Sequence, residues 1–222
     1  MAMKTPFTTE QFFSVFEKYN RAIFPVQIIL FLLVVFALIA IGSKIKQKDK
    51  FVSGILGFLW LWIGIAYHIS FFSGINKVAF GFGVLFILQG LFFLWEGVLL
   101  YNLKFVFKGS IQAYLGYFFI LYGLIVYPIV GYLIEQNLSR TISIGLPCPT
   151  IILTFGFLLL SDKKFSKYLL IIPSLWAVIG ISAVIKLGVY QDSMMLIAAI
   201  IADVWLIKER SQPDEKSGNS FK

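Results

Sequence analysis

Nine polar or ionisable side chains lie inside the apolar stretches of this sequence, at their ends or in a short connection between them. These are the first candidates for a chemical role. An ionisable residue at the centre of a membrane helix costs about 2.5–3.5 kcal/mol, so positions that keep one are functional candidates. The first group lies near one membrane face and comprises Gln27, Tyr67, His68, Asn76, Tyr127 and Cys148. The second group lies further along its stretches and comprises Gln89, Glu96 and Asp203.

His68 and Cys148 carry the most reactive side chains of the first group. An imidazole beside a thiol could bind a soft metal ion such as Cu(I) or Hg(II), or supply the base and nucleophile of an intramembrane enzyme. They are the only histidine and the only cysteine of the sequence, however, and two ligands make a poor metal site. We therefore expect no metal, no cofactor and no catalytic residue. The group lines an outward-facing vestibule, or it consists of interfacial residues satisfied by water and headgroups.

Two prolines, Pro147 and Pro149, flank Cys148. Each proline lacks a backbone N–H and restricts the residue before it, so the pair is incompatible with the middle of a helix. The sequence predicts an extended structural turn at the head of the fifth apolar stretch. Cys148 is then either a metal ligand beside His68 or a buried thiol in a helix-start turn.

The second group has two interpretations as well. Glu96 and Asp203 lie within about two helical turns of the ends of their stretches. Each could be a proton-relay carboxylate, or could extend towards a cation such as Lys104 or Arg210. Gln89 lies halfway along its stretch, where it must bond to a neighbouring helix or face a cavity.

Seven apolar stretches must position these residues. Hydrophobic residues make up 59% and charged residues 14% of the 222 residues, outside the range of soluble domains. Because a bilayer needs about 20 apolar residues per helix, we predict an all-α polytopic transmembrane helix bundle. The fifth stretch is short, so six spans plus a re-entrant segment is the alternative. The predicted spans are residues 23–42, 51–72, 78–101, 111–134, 146–160, 168–187 and 193–207.

The distribution of Lys and Arg predicts the orientation of the bundle. Thirteen of the 19 lie in the connections after the first, third and fifth spans and in the C-terminal tail, and six lie on the other side. Because excess Lys and Arg marks the cytoplasmic side, we expect the N-terminus outside and the C-terminus inside. The net charge of +8 then meets lipid headgroups, and no nucleic acid is expected as a partner.

The two ends of the chain lie outside the predicted bundle. Residues 1–22 contain a capping box, with Thr8 as N-cap and Gln11 three residues later, followed by aromatic residues at helical spacing. This pattern predicts an interfacial amphipathic helix. Residues 208–222 have mixed charge and are predicted to be a disordered cytoplasmic tail.

Five segments of the sequence are informative when taken together: Pro6-Phe7-Thr8, Tyr67-His68-Ile69-Ser70-Phe71-Phe72, Gly145-Leu146-Pro147-Cys148-Pro149-Thr150, Pro173-Ser174-Leu175-Trp176 and Gln191-Asp192. They resemble a known family, the bacterial multi-pass membrane family of unknown function DUF6064. The resemblance implies a multi-pass protein of the bacterial cytoplasmic (inner) membrane and brings no activity with it. The connection at residues 135–141 lacks the His and Pro that the family pattern has there, so a site using that loop would be altered.

With no extramembrane domain predicted, the favoured function is a permease or channel-like subunit for a small solute or ion. A non-transporting membrane scaffold or assembly partner is the alternative, and an intramembrane enzyme is less favoured. The expected partners are membrane lipids and an unidentified small solute or ion. A second copy of the chain or another membrane protein also remains open as a partner.

Overall fold

The structure, a computed structural model, describes residues 7–106, 109–162 and 165–208, and these are almost entirely helical. The predicted all-α fold is confirmed for this part of the chain, where one isolated bridge pairs Phe105 with Ser161. The predicted disordered tail lies outside the described residues, apart from its first residue. The α-helices are α1 Thr9–Ile23, α2 Val26–Gly42, α3 Lys48–Trp62, α4 Ala79–Phe93, α5 Ile111–Leu121, α6 Tyr127–Glu135, α7 Pro147–Leu159, α8 Ile171–Leu187 and α9 Ser193–Lys208.

The helices run back and forth between two ends of the bundle, which we call the α1 end and the far end. The α1 end carries α1 and the connections that precede α4, α7 and α9. The far end carries the connections that precede α3, α5 and α8. There Asp49 Oδ1 accepts a hydrogen bond of 2.8 Å from the Phe105 N–H, and Phe105 in turn pairs with Ser161.

Helix α1 begins at the predicted capping box. Thr8 Oγ1 accepts from the Gln11 N–H (3.2 Å), and Gln11 Oε1 accepts from the Thr8 N–H (2.8 Å), so this prediction is confirmed. Phe16 and Tyr19 are buried against the bundle. The axis then turns by 84° into α2. The chain therefore lays α1 across one end of the bundle instead of continuing it as a straight rod.

Within the described residues, five helical segments are long and apolar enough to cross a membrane, and the bent pair of α1 and α2 would make six. The predicted count of seven is therefore supported only in part. The predicted fifth span is α7, whose 13 residues give a length of about 20 Å, short of the hydrocarbon thickness. The five segments are Lys48–Gly74, Ala79–Leu99, Ile111–Glu135, Lys167–Leu187 and Tyr190–Ile207.

Helix α7 is the centre of the bundle. All of its residues except Cys148 are buried, and it packs chiefly against α5 and α9. The close contact with α5 depends on small residues, because a Cβ on Gly156 would lie 2.6 Å from the Gly116 carbonyl oxygen. Small residues at helix contacts let backbones approach in this way in membrane bundles.

The outside of the bundle is strongly apolar. Large hydrophobic side chains are exposed on many helices, among them Ile39 (64%), Val178 (64%) and Val204 (59%). Exposure of such a continuous apolar surface to water is unfavourable, whereas lipid is a suitable solvent for it. The structure is therefore compatible with a membrane protein.

Candidate functional site

An aromatic cavity of about 320 Å³ lies at the α1 end, and we call it the Asp192 cavity. Its walls come from the first turns of α1, the end of the α3 segment, the start of α7 and the last turns of α8. Asn76, Ser182 and Lys186 are among its other polar residues. The residues on which its chemistry depends are Phe12, Phe16, Tyr67, His68, Phe72, Phe82, Cys148, Trp176 and Asp192.

Asp192 lies in a single 3₁₀ turn, Tyr190–Asp192, just before α9, and its side chain is directed into the protein with the residue only 1% exposed. One carboxylate oxygen accepts a short hydrogen bond from the Tyr127 hydroxyl. The other accepts from the Cys148 thiol at 3.3 Å. In the described part of the chain no ion pair reaches this carboxylate.

The candidate residues predicted from sequence do not include Asp192. The signal available was an acidic residue directly before an apolar stretch, which is more often a solvated helix start. The Asp192 side chain is directed into the protein because Tyr127 and Cys148, on neighbouring helices, donate hydrogen bonds to its carboxylate.

Cys148 is the second residue of α7, between Pro147 and Pro149. The predicted extended turn ends earlier than expected, at Leu146, and both prolines belong to the first helical turn. The N–H groups of the first helical turn have no partner within the helix, so two prolines, which lack an N–H, cost little there. Gly145, with φ of +92°, directs the chain into the helix.

His68 belongs to a π-helical segment, Ile63–Ile69, that continues α3. It is completely buried, and its ring lies 4.6 Å from Phe86 and 5.0 Å from Trp176, centroid to centroid. Neither ring nitrogen has a hydrogen-bond partner among the residues that the structure describes. Single-turn π segments occur often at functional sites, where they rotate side chains out of the regular helical register.

The predicted first group is largely brought together. Tyr67, His68, Asn76 and Cys148 line the Asp192 cavity, and Tyr127 lies behind it, bonded to Asp192. Gln27 is the exception. Its amide donates to the Asn20 carbonyl (2.7 Å) and it lines a separate groove of about 510 Å³ beside α2.

A series of hydrogen bonds holds α1 against the α1 end of the bundle. The Tyr19 hydroxyl donates to the Gly145 carbonyl (2.7 Å) and accepts from Trp62 Nε1 (2.8 Å). Asn20 Nδ2 donates to the Thr141 carbonyl at 2.9 Å. Phe12 and Phe16 are thereby held against the cavity.

Ion pairs at the surface also hold α1 against the bundle. The Arg140 guanidinium contacts Glu10 at 2.6 Å and Glu17 at 3.1 Å. The hydrogen bond and charge of Arg140 hold the pKa of Glu10 below its usual value, and the two carboxylates raise the pKa of Arg140. Glu10 is exposed and Arg140 and Glu17 are partly exposed, which limits the contribution of these pairs.

The second predicted group is not brought together. Gln89 is buried and donates to the Leu169 carbonyl at 2.9 Å. Glu96 Oε2 accepts from the Ser166 N–H (3.1 Å), and Glu96 forms no ion pair with Lys104. Asp203 accepts from the Ser174 hydroxyl at 2.7 Å in a shallow groove between α8 and α9, while Arg210 lies outside the described residues.

The Cys148–His68 pair expected of an enzyme or a soft-metal site is not formed, because Cys148 bonds to Asp192 and the His68 nitrogens bond to none of the described residues. In the part of the chain that the structure describes, no three His, Cys, Asp or Glu side chains are grouped so as to hold a metal ion. The arrangement instead is an aromatic cavity with one buried carboxylate, of a kind suited to non-covalent binding of a small molecule.

Fold and site together define an all-helical bundle with an apolar exterior and one enclosed polar cluster. The chain belongs to the family of unknown function DUF6064, whose sequence model matches residues 9–217, so the resemblance seen in the sequence is confirmed. No curated protein and no solved structure matches the chain.

Proposed function

We propose that this protein is an integral membrane protein that binds a small solute in the Asp192 cavity and passes it across the bilayer as a permease or channel-like subunit. The observation that carries the proposal is the buried Asp192 carboxylate beside an aromatic cavity. Ionisable groups in membrane segments are costly and are usually kept for substrate or ion pathways.

The proposal includes the membrane topology. The helices between the two ends, α2 to α9 with α5 and α6 in one segment, would give seven crossings. The short α7 would be shielded from lipid by its neighbours, which removes the need for a full-length apolar helix. The bias of Lys and Arg supports an orientation with the far end in the cytoplasm and the α1 end outside, and the proposed location is the bacterial inner membrane.

Passage of a solute would require a change of conformation below the cavity. Phe86 and Trp176 pack on His68 towards the centre of the bundle, and Trp60 lies 4.6 Å from Phe86. All these rings are buried or nearly so. A solute in the cavity would therefore be held at the α1 end until this aromatic layer moved.

The test is to reconstitute the full chain in proteoliposomes and to measure uptake of a panel of small cations, anions and neutral metabolites. We expect uptake of at least one class, lost in Asp192→Asn and retained in Asp203→Asn, which removes a carboxylate outside the cavity. No uptake of any class, or equal uptake by both variants, would contradict the proposal.

A second candidate function is a non-transporting membrane protein whose cavity binds a ligand without passing it on. The observation in its favour is the same packed layer, where Trp60, Phe86 and Phe93 are fully buried. Binding of a solute to the purified protein without any flux in proteoliposomes would favour this candidate over the permease. Under both candidates we propose no enzymatic activity.

A further inference from the structure

We propose that the ligand of the Asp192 cavity is a compact organic ammonium ion, such as a methylated amine. This inference rests on the proposed binding of a solute in the cavity and names its chemical class. Three features of the cavity lead to it: its buried carboxylate, its aromatic walls and its size.

The carboxylate of Asp192 has unused capacity to accept. A carboxylate offers about four lone-pair sites, and only the Tyr127 hydroxyl and the Cys148 thiol donate to this one within the described residues. With only two neutral donors, a buried carboxyl stays ionised only when a cation joins it, and otherwise it takes up a proton. An ammonium group in the cavity would supply that cation.

The walls suit a cation whose charge is spread over methyl groups. The Trp176 and Phe82 rings are perpendicular, with centroids 4.9 Å apart, while Tyr67 stacks on Phe72 at 5.7 Å and also on Phe16. A ring face that is open to the cavity attracts a cation by about 0.5–2 kcal/mol, the interaction by which aromatic cages bind quaternary ammonium ions. Metal cations are less suitable, since the cavity has few oxygen ligands.

The size of the cavity restricts the ligand further. A volume of about 320 Å³ is near the lower limit for small-molecule sites. The other titratable groups of the cavity are Tyr67, His68 and Lys186, with Lys186 on the exposed last turn of α8. In that exposed position its charge is largely screened from a cation held deeper.

The experiment compares two ligands of the same shape on the purified full chain in detergent, at neutral pH. One is choline, and the other is 3,3-dimethyl-1-butanol, in which carbon replaces the charged nitrogen. We expect choline and tetramethylammonium to raise the thermal midpoint and to bind in calorimetry, and the neutral alcohol to bind at least about tenfold more weakly.

Variants locate the site. Asp192→Asn should weaken choline binding by about tenfold or more. Trp176→Leu should also weaken it, and Asp203→Asn is the matched control that leaves it unchanged. Should Asp192→Asn fail to fold, the comparison of choline with its neutral isostere on the unaltered protein still decides.

Three outcomes would overturn the inference: no ammonium ion binds, the alcohol binds as well as choline, or Asp192→Asn keeps full affinity. Uptake of a neutral or anionic solute would likewise remove the inference while the permease proposal stands. Binding of choline without flux would contradict the permease proposal, whereas the inference that the ligand is an organic ammonium ion would stand.

Discussion

The two ends of the bundle use their polar residues in different ways. At the α1 end Tyr127, Cys148 and Asp192 come from three separate helical segments and bond to one another beside a cavity. Towards the far end Gln89, Glu96 and Asp203 bond to separate partners and share no cavity. A polar residue in an apolar segment therefore indicates a site only where several such residues share one cavity.

The far-end residues replace missing backbone partners. The Leu169 carbonyl would ordinarily accept from the residue four positions later, but that residue is Pro173, which has no N–H. The side chain of Gln89 supplies the donor instead. Glu96 likewise satisfies the N–H of Ser166 in a connection between helices.

The largest difference between the ends is expected on removal of a carboxylate. Asp192→Ala leaves two buried donors without an acceptor and should lower the free energy of unfolding by about 3 kcal/mol. Asp203→Ala, which leaves only the half-buried Ser174 hydroxyl, should cost less than about 1.5 kcal/mol. Thermal or denaturant unfolding in detergent measures both, and equal costs would remove the distinction between the ends.

Gln89→Leu tests whether the far-end residues have a structural role. It leaves the Leu169 carbonyl buried without a donor, and we expect a loss of about 1–2 kcal/mol. Pro173→Ala restores an N–H, so Gln89→Leu should cost less in that background. A double-mutant cycle with no coupling between the two positions would show that Gln89 does not compensate for Pro173.

His68→Phe tests the opposite expectation at the α1 end. The ring keeps its packing against Phe86 and Trp176 and loses two nitrogens that have no partner in the described part of the chain, so stability should rise by about 1 kcal/mol. His68→Ala is a less clean test, because it also removes the ring. If His68→Phe destabilises the protein, the imidazole must have a bonding role at the cavity.

The smallest effect is expected for the surface pairs that hold α1. Arg140→Gln should increase hydrogen exchange in α1 at pH 7, with little change elsewhere. Because the folded protein lowers the pKa of Glu10, this pair stabilises the fold at neutral pH and weakens below about pH 4, as Glu10 becomes protonated. Hydrogen exchange in α1 should therefore be the same in the variant and the unaltered protein in acid. A difference in exchange that persists in acid would exclude the Glu10 pair as its cause.

The helical architecture could be predicted because its signals are local. Apolar runs of bilayer length and the Thr8 and Gln11 capping box depend on neighbouring residues in sequence, and the helix bounds lie close to the apolar runs. The 13 residues of α7 are harder to interpret, since a central helix surrounded by protein needs no full apolar length.

Only part of the site could be predicted from the sequence, because residues that are distant in the sequence form it. The equal depth of Tyr67, His68 and Cys148 indicated a shared level and thus their grouping. The inward turn of Asp192 depends on donors from two other helical segments, and the π-helical register that places His68 has no local sequence signature. Gln27 has the right depth but faces a different groove.

The most direct test uses the only cysteine, Cys148, which lines the Asp192 cavity and needs no engineered probe. A small, membrane-impermeant thiol reagent is applied to sealed vesicles with the N-terminus outward, with and without tetramethylammonium. The account predicts labelling from the outside that slows as the ammonium ion fills the cavity. Labelling only from the cytoplasmic side, or a rate that no ammonium ion changes, would contradict it.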